Sequence, residues 1–321
     1  MIDLLLLSRA IVFSSLLALI SLGLTLTYLT TKVPNFAHGA FVAVGAYVTL
    51  TAVEIWQTNP YIFLIVAFIV GGLTALTQYI IVFKPLMRKG STVVGLMITT
   101  IAIEFILLAI INIYADYLSR TFKIRSRYFL LSSYDLSIGG QRGLLFIAPV
   151  LTACTVILLY LILTKTKFGV AMRAAIESPS LASVVGININ MVYAVSWFIS
   201  GGLGALSGAL LPLWFPGNPD MGSRMIVSAF AASIIGGQLS IYGAVLGGFV
   251  IGLAELLGTS TLASWFGAGV IPYRPLVPLI AIVITLLVAP KGLMGINWNK
   301  LLKSLRKRVS KNSLQARSDV Q

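Results

Sequence analysis

One cysteine and one histidine are all that this chain offers to soft-metal chemistry. Cys154 lies within an apolar run, so an intrachain disulfide scaffold is excluded and packing is its expected role. A conventional zinc site needs more Cys, His or carboxylate ligands than His38 and Cys154 can supply. Charged residues are only 10% of the chain, and just 9 are acidic. The GxxxxGK[ST] phosphate-binding loop is missing, so the chain is not expected to bind ATP by that device. HExxH, CxxC and GxSxG are missing too. An enzymatic role has little to stand on, and neither metal nor cofactor is expected in the chain itself.

What is abundant points to lipid. Of the 321 residues, 58% are hydrophobic, and several apolar runs are near the length that crosses a bilayer. No soluble class fits. The expected fold class is an all-α polytopic membrane protein with about 8–10 transmembrane helices. The 29 glycines suit close helix–helix contact. Formal net charge is +14, and nearly half lies after residue 295, where Lys300, Lys303, Arg306, Lys307, Arg308, Lys311 and Arg317 face only Asp319. Residues 296–321 therefore form an expected basic tail beside a transmembrane domain of residues 1–295. Such a cluster suits a cytoplasmic anchor on anionic lipid. Trp298, Leu301, Leu302, Leu305 and Val309 have helical spacing suited to a membrane surface. Topology already accounts for these charges, so nucleic acid is not the expected partner.

Taken in order, the first expected span is Ala10 to Leu29. It is not a convincing cleaved signal, because Arg9 follows Asp3 and four leucines and no small-residue cleavage site stands out. Residues 33–50 are apolar yet interrupted by Pro34, Asn35, His38, Gly39 and Gly45. A helix beginning near Pro34 would present Asn35 and His38 at its mouth. Spans are expected at 61–83 and 92–114, joined by a basic turn with Lys84, Arg88 and Lys89. A long polar loop at 115–143 follows, placed outside despite its five basic residues. Spans at 144–163 and 191–213 flank the loop 164–190. Residues 214–224 read as an external turn. The run 225–235 is too short to span if straight and ends in Gly236, Gly237 and Gln238. Spans at 241–257 and 272–289 complete the set. Two interrupted stretches, one in each half, hint at a duplicated transporter with its pathway between the halves.

The loop 164–190 is too polar for lipid and too patterned for a linker. Lys165, Lys167 and Arg173 place it in the cytoplasm. Ser178 can cap a helix, Pro179 suits its first position and Gly186 suits its stop. The short helix between them carries Leu181, Ala182, Val184 and Val185. It either fills a groove in another protein or lies on the membrane or on its neighbours.

Three stretches together resemble the permeases of branched-chain amino-acid ABC transporters. They are Asn35 to Gly39 with Gly45 to Tyr47; Arg173 to Ala175 through Ala182 to Gly186, Ile187 and Asn188; and Ile235 to Gly237 with Gly243 to Gly248. The similarity runs from about Ala10 to Gly295, and the length is closer to the shorter of the two permeases in such systems. The resemblance implies one half of a membrane channel in the cell membrane, with a cytoplasmic C-terminus. A second homologous permease, ABC ATPase subunits that hold ATP and Mg, and an extracytoplasmic solute-binding protein would complete it. It implies an ATPase-coupling loop carrying Arg173, Ala175, Glu177, Ala182, Gly186, Ile187 and Asn188. It implies a pathway near Asn35, His38, Gly39, Tyr47, Glu104, Gly236, Gly237 and Gln238. The implied substrates are leucine, isoleucine and valine. The family also serves urea, short-chain amides and other amino acids, and sugar permeases are more distant relatives.

Two rival classes remain. A proton-coupled secondary transporter would use Glu104 and His38 as relay groups, since an acid in mid-membrane must face a partner or a wet cavity. In that position Glu104 can equally fasten two helices, and His38 can be a satisfied histidine at a helix start. Glu255 is expected to be structural, because it can reach the interface. A non-transporting scaffold would leave the broken helices unexplained.

Overall fold

The computed structural model describes residues 4–290 and 292–295. The basic tail expected at 296–321 lies outside these described residues. The architecture is helical apart from one short hairpin. In chain order, α1 is Leu4–Thr31, α2 His38–Glu54, α3 Leu64–Gln78, α4 Lys84–Arg88, α5 Val93–Phe122, α6 Leu144–Lys165 and α7 Lys167–Glu177. Then come α8 Pro179–Val184, α9 Ile189–Leu210, α10 Met221–Gly236, α11 Ile241–Phe266 and α12 Leu276–Val288. A π-helical turn, Tyr79–Phe83, joins α3 to α4 without a break. Among the described residues, 7 helical segments are long and apolar enough to cross a membrane, and α2 and α10 are shorter apolar helices.

The helix α1 is the axis of the bundle. It is apolar all round and buried along nearly its whole length from Ala10, packed by α6, α9, α10 and α11. Its polar residues fasten it to these neighbours. Ser21 donates to the Ala244 carbonyl at 2.8 Å, the Thr25 and Ser233 hydroxyls lie 2.7 Å apart, and the Ser200 hydroxyl donates to the Gly23 carbonyl at 2.7 Å. Helices in lipid gain little from apolar contact with one another, so small residues and such bonds carry the association. Added Cβ atoms on Gly248 and Gly252 would overlap Ala18 and Ser14 of α1. The outer helices α3, α5, α6 and α12 turn Ile65, Phe105, Ile113, Leu158 and Leu287 outward. Such an apolar exterior suits hydrocarbon.

Several boundaries differ from those the sequence suggests. No helix begins at Pro34. The chain leaves α1 at Lys32, in the left-handed region with φ 56°, and runs as a turn until His38. This segment turns back into the protein, with Val33, Asn35 and Ala37 buried. Non-helical backbone at membrane depth is tolerated where protein satisfies it, and the Thr100 hydroxyl accepts from Phe36 N–H at 3.2 Å. Residues 84–88 are helical, so the basic turn shrinks to Lys89 and Gly90. The helix α5 runs on to Phe122, which shortens the polar loop to 123–143. That loop is tied down: β1 Ser137–Ile138 pairs with β2 Gln141–Arg142, and Phe129 bridges Gly217. The expected turn at 214–224 gives its last residues to α10.

Two ends of the bundle can be told apart. Phe83 and Trp197 have ring centroids 4.5 Å apart, so the turn after α4 and the start of α9 share one end with the loop 164–190. Val33, Met172 and Ala175 belong to the same apolar cluster. The loops 123–143 and 214–220 close the opposite end.

Candidate functional site

The two interrupted stretches meet. The first turns of α2 and α10 pack backbone to backbone, and an added Cβ on either Gly39 or Gly222 would overlap the other's carbonyl. Glu104, half-buried on α5, joins both. One carboxylate oxygen accepts from Ala40 N–H at 3.2 Å, and the other accepts a short hydrogen bond from the Ser223 hydroxyl. The N–H groups of a first helical turn have no partner within their own helix. Ala40 N–H reaches the Ala37 carbonyl at 3.1 Å, and Glu104 adds a second acceptor there and draws α10 to the same point, which is the geometry of a fastener.

His38 is buried beside this junction. Its Nε2 lies 3.0 Å from the Ile20 carbonyl and its Nδ1 3.4 Å from the Ser200 hydroxyl, with Phe41 edge-on to the ring. Both ring nitrogens therefore have partners. Asn35, one turn earlier, accepts from Gln78 at 3.4 Å. Tyr47 lies further along α2, away from this level, where its hydroxyl donates to the Ser126 carbonyl at 2.6 Å. Gly236, Gly237 and Gln238 stand at the far end of α10, about 20 Å along the axis from Gly222 at ~1.5 Å per residue. The residues expected together along a pathway thus occupy three levels, and only Asn35, His38, Gly39 and Glu104 converge.

The loop 164–190 holds two helices where one was expected. Lys167–Glu177 forms α7, capped by the Thr166 hydroxyl, which accepts from Gly169 N–H at 3.2 Å. Gly169 permits the sharp reversal, since a Cβ there would overlap the backbone of Leu163. The short helix α8 has the anticipated ends. The Ser178 hydroxyl accepts from Leu181 N–H, and Pro179 is the first helical residue. Gly186 has φ 86°; its N–H donates to the Ser183 carbonyl at 3.1 Å and Ile187 N–H to the Ala182 carbonyl at 3.0 Å. That pair of bonds is the Schellman stop, which favours glycine. Asn188 then caps α9 by accepting from Met191 N–H at 3.1 Å.

The faces of this loop are distinct. Ala175 and Ala182 are buried within the chain and present no surface to a partner. Arg173 is exposed, but its guanidinium closes on the Leu163 carbonyl at the end of α6. Glu177, Gly186 and Asn188 are exposed and Ile187 is partly buried. The outward surface of α8 is instead Leu181, Val184 and Val185, with Val184 83% exposed.

Several contributors were not singled out from sequence. Gly222 and Ser223 fell in the stretch read as a turn; the signal for them was the Gly-Ser pair just after Asp220 at the head of an apolar run. Arg274 is another: its Nε donates to Oε1 of Glu255, the acid read as structural, at 2.7 Å. At that same end, Tyr61 donates to Asp135 at 2.5 Å, and burial together with the Asp135 charge raises its pKa well above the usual tyrosine range.

The family model described as the permease component of the branched-chain amino acid transport system matches residues 6–288. A probable branched-chain amino acid transport permease protein LivH from Methanocaldococcus jannaschii is 44% identical over 299 residues, 93% of this chain and 95% of that protein. The high-affinity branched-chain amino acid transport system permease protein LivH of Escherichia coli K12 is 26% identical over 302 residues, covering 89% of this chain and 94% of that protein. BraD of Pseudomonas aeruginosa, a permease protein of the same named system, is 27% identical over 291 residues, 87% of this chain and 91% of that protein.

Proposed function

The chain belongs to the branched-chain amino-acid ABC transporter permease family, and from that premise we propose that it carries leucine, isoleucine and valine through the membrane after an extracytoplasmic binding protein delivers them. It is a multi-pass membrane permease subunit of an ABC importer. Members of the family are transport subunits without catalytic chemistry of their own; ATP is hydrolysed in separate partner ATPases, and solute-binding proteins are further partners. In this reading a second, homologous permease subunit forms the other half of the channel. The 164–190 loop faces the cytoplasm and couples to the ATPase, with Glu177, Gly186, Ile187 and Asn188 around its contact. The C-terminus is on the same side. Asn35, His38, Gly39 and Glu104, at the α2–α10 junction, border the pathway, with Tyr47 and the Gly236–Gln238 turn towards its two ends.

The observation that carries this reading is α8. Leu181, Val184 and Val185 are exposed together on a helix fixed at both ends by caps. An apolar helix face of this kind suits a groove in a partner. Deletion of the chain should abolish uptake of all three amino acids, and the partner ATPase should co-purify with the intact protein. Normal uptake of all three in the deletion, with urea or amide uptake lost, would move the substrate elsewhere in the family. Uptake by the chain alone, driven by a proton gradient, would instead support a secondary transporter.

A further inference from the structure

At the end of the bundle remote from the 164–190 loop, a cavity of about 410 Å³ opens between α1, α10, α11 and the 214–220 segment. Glu255 and Arg274 form part of its wall. Arg274 Nε holds Glu255 Oε1 at 2.7 Å, and the guanidinium lies 4.3 Å from the centre of the Phe13 ring. The other carboxylate oxygen, Oε2, is buried and has no hydrogen-bond partner among the described residues, on a residue only 5% exposed. A buried carboxylate with one oxygen unserved is costly, and such groups commonly mark function. Asn218, another residue of the lining, has its Oδ1 buried without a donor among the described residues.

The wall has spare donors as well. Arg224 is exposed and makes no ion pair among the described residues, and only one N–H of Arg274 is taken by Glu255. The remaining lining is largely apolar, with Phe13, Leu211, Met221 and Met225. The cavity thus combines acceptors lacking donors, guanidinium groups with free N–H, and an apolar wall. An ammonium only donates and a carboxylate only accepts, so a zwitterion with an apolar side chain matches all three features. A neutral amide or sugar uses no opposed full charges.

We propose that this cavity receives the two charged ends of a free apolar α-amino acid as it enters the permease. Glu255 Oε2 and Asn218 Oδ1 accept from the ammonium. Arg224 and Arg274 donate to the carboxylate, and Phe13 and Met225 take the side chain. The inference rests on the branched-chain amino-acid reading and names where on this chain the substrate class is checked.

The test is direct binding to the purified full-length chain in lipid nanodiscs, using three probes. L-leucine carries both charges, 4-methylpentanoate lacks the ammonium, and leucinamide lacks the carboxylate. Leucine should bind at least tenfold more tightly than either analogue. Glu255→Gln should weaken leucine about tenfold without weakening 4-methylpentanoate, since the ammonium loses a charge-assisted bond while Arg274, freed of its counter-charge, still meets the carboxylate. Arg224→Gln, at an exposed residue outside the ion pairs described, should weaken leucine about tenfold and leave leucinamide unchanged. A general loss of structure would lower all probes together. No leucine binding by the wild type, equal binding of leucine and 4-methylpentanoate, or wild-type leucine affinity in both variants would overturn the site. Uptake in a deletion strain separates the two readings. If leucine uptake depends on the chain but the variants bind normally, the site alone fails. If leucine uptake survives deletion, the transport reading fails whatever the binding shows.

Discussion

Gly39 and Gly222, 183 positions apart in the chain, lie backbone against backbone where α2 and α10 begin. Neither helix is long enough to cross a bilayer by the measure the others meet. Their starts must be held by protein rather than reached by length, and this contact with the Glu104 bridge holds them.

Gly222→Val should be among the most damaging single changes in the bundle. Its Cβ would overlap the Gly39 carbonyl, which is backbone and cannot rotate away. Overpacking of this sort costs roughly 1–3 kcal/mol. The expected outcome is a lower unfolding temperature in detergent and lost uptake, whereas Gly258→Val, where a Cβ meets nothing within 4 Å, should leave both near wild type. Equal behaviour of the two variants would refute the tight-junction account.

Glu104→Gln should keep transport within about threefold. The Gln carbonyl can accept from Ala40 N–H while its amide donates to the Ser223 oxygen, so both bonds survive with one polarity reversed. Glu104→Ala removes both, and although Ala40 N–H keeps its 3.1 Å bond to the Ala37 carbonyl, each lost hydrogen bond costs about 0.5–1.5 kcal/mol. Uptake and membrane abundance measured side by side decide the matter. A Gln variant that accumulates normally but transports nothing would return Glu104 to a proton-carrying role.

Gly186→Val tests the loop through the backbone alone. A Cβ at Gly186 meets nothing within 4 Å, so the penalty is purely the positive φ, on the order of 1–2 kcal/mol for a β-branched residue. Co-purification of the ATPase should weaken while insertion is unaffected. Ala182→Glu would act differently, because Ala182 is packed inside the chain and a charge there disturbs α8 itself. Val184→Glu places the charge on the exposed face instead. It should lower ATPase capture with no change in the permease's own unfolding temperature.

Tyr47→Phe should loosen the 123–143 loop without touching the bundle. The hydroxyl donates to the Ser126 carbonyl at 2.6 Å, and the change removes about 1 kcal/mol of net hydrogen bonding. Faster tryptic cleavage at Arg125 or Arg127 is the expected signature, with far-UV circular dichroism unchanged. Cleavage at the wild-type rate would mean that Phe129 and its bridge to Gly217 suffice to hold the loop.

Much of this protein is legible in its letters for local reasons. Apolar runs near bilayer length mark the long spans, since lipid cannot solvate an open backbone. Ser178, Pro179 and Gly186 mark the bounds of α8, because a cap, a fixed φ and a left-handed stop are properties of single residues and their immediate neighbours. The interruption around Pro34 to Gly39 is visible for the same reason, although the helix starts four residues later than the proline suggests. Other features belong to the tertiary structure alone. Whether Glu104 relays or fastens depends on Ala40 and Ser223, and the partner of Glu255 is Arg274. Ala182 turns inward while Val184 turns outward, although both sit on one apolar helix. Local propensity sets where a helix begins and ends, but which of its faces meets protein, lipid or water is set by neighbours distant in sequence. The meeting of Gly39 and Gly222 is the clearest case, for no periodicity in either stretch specifies the other.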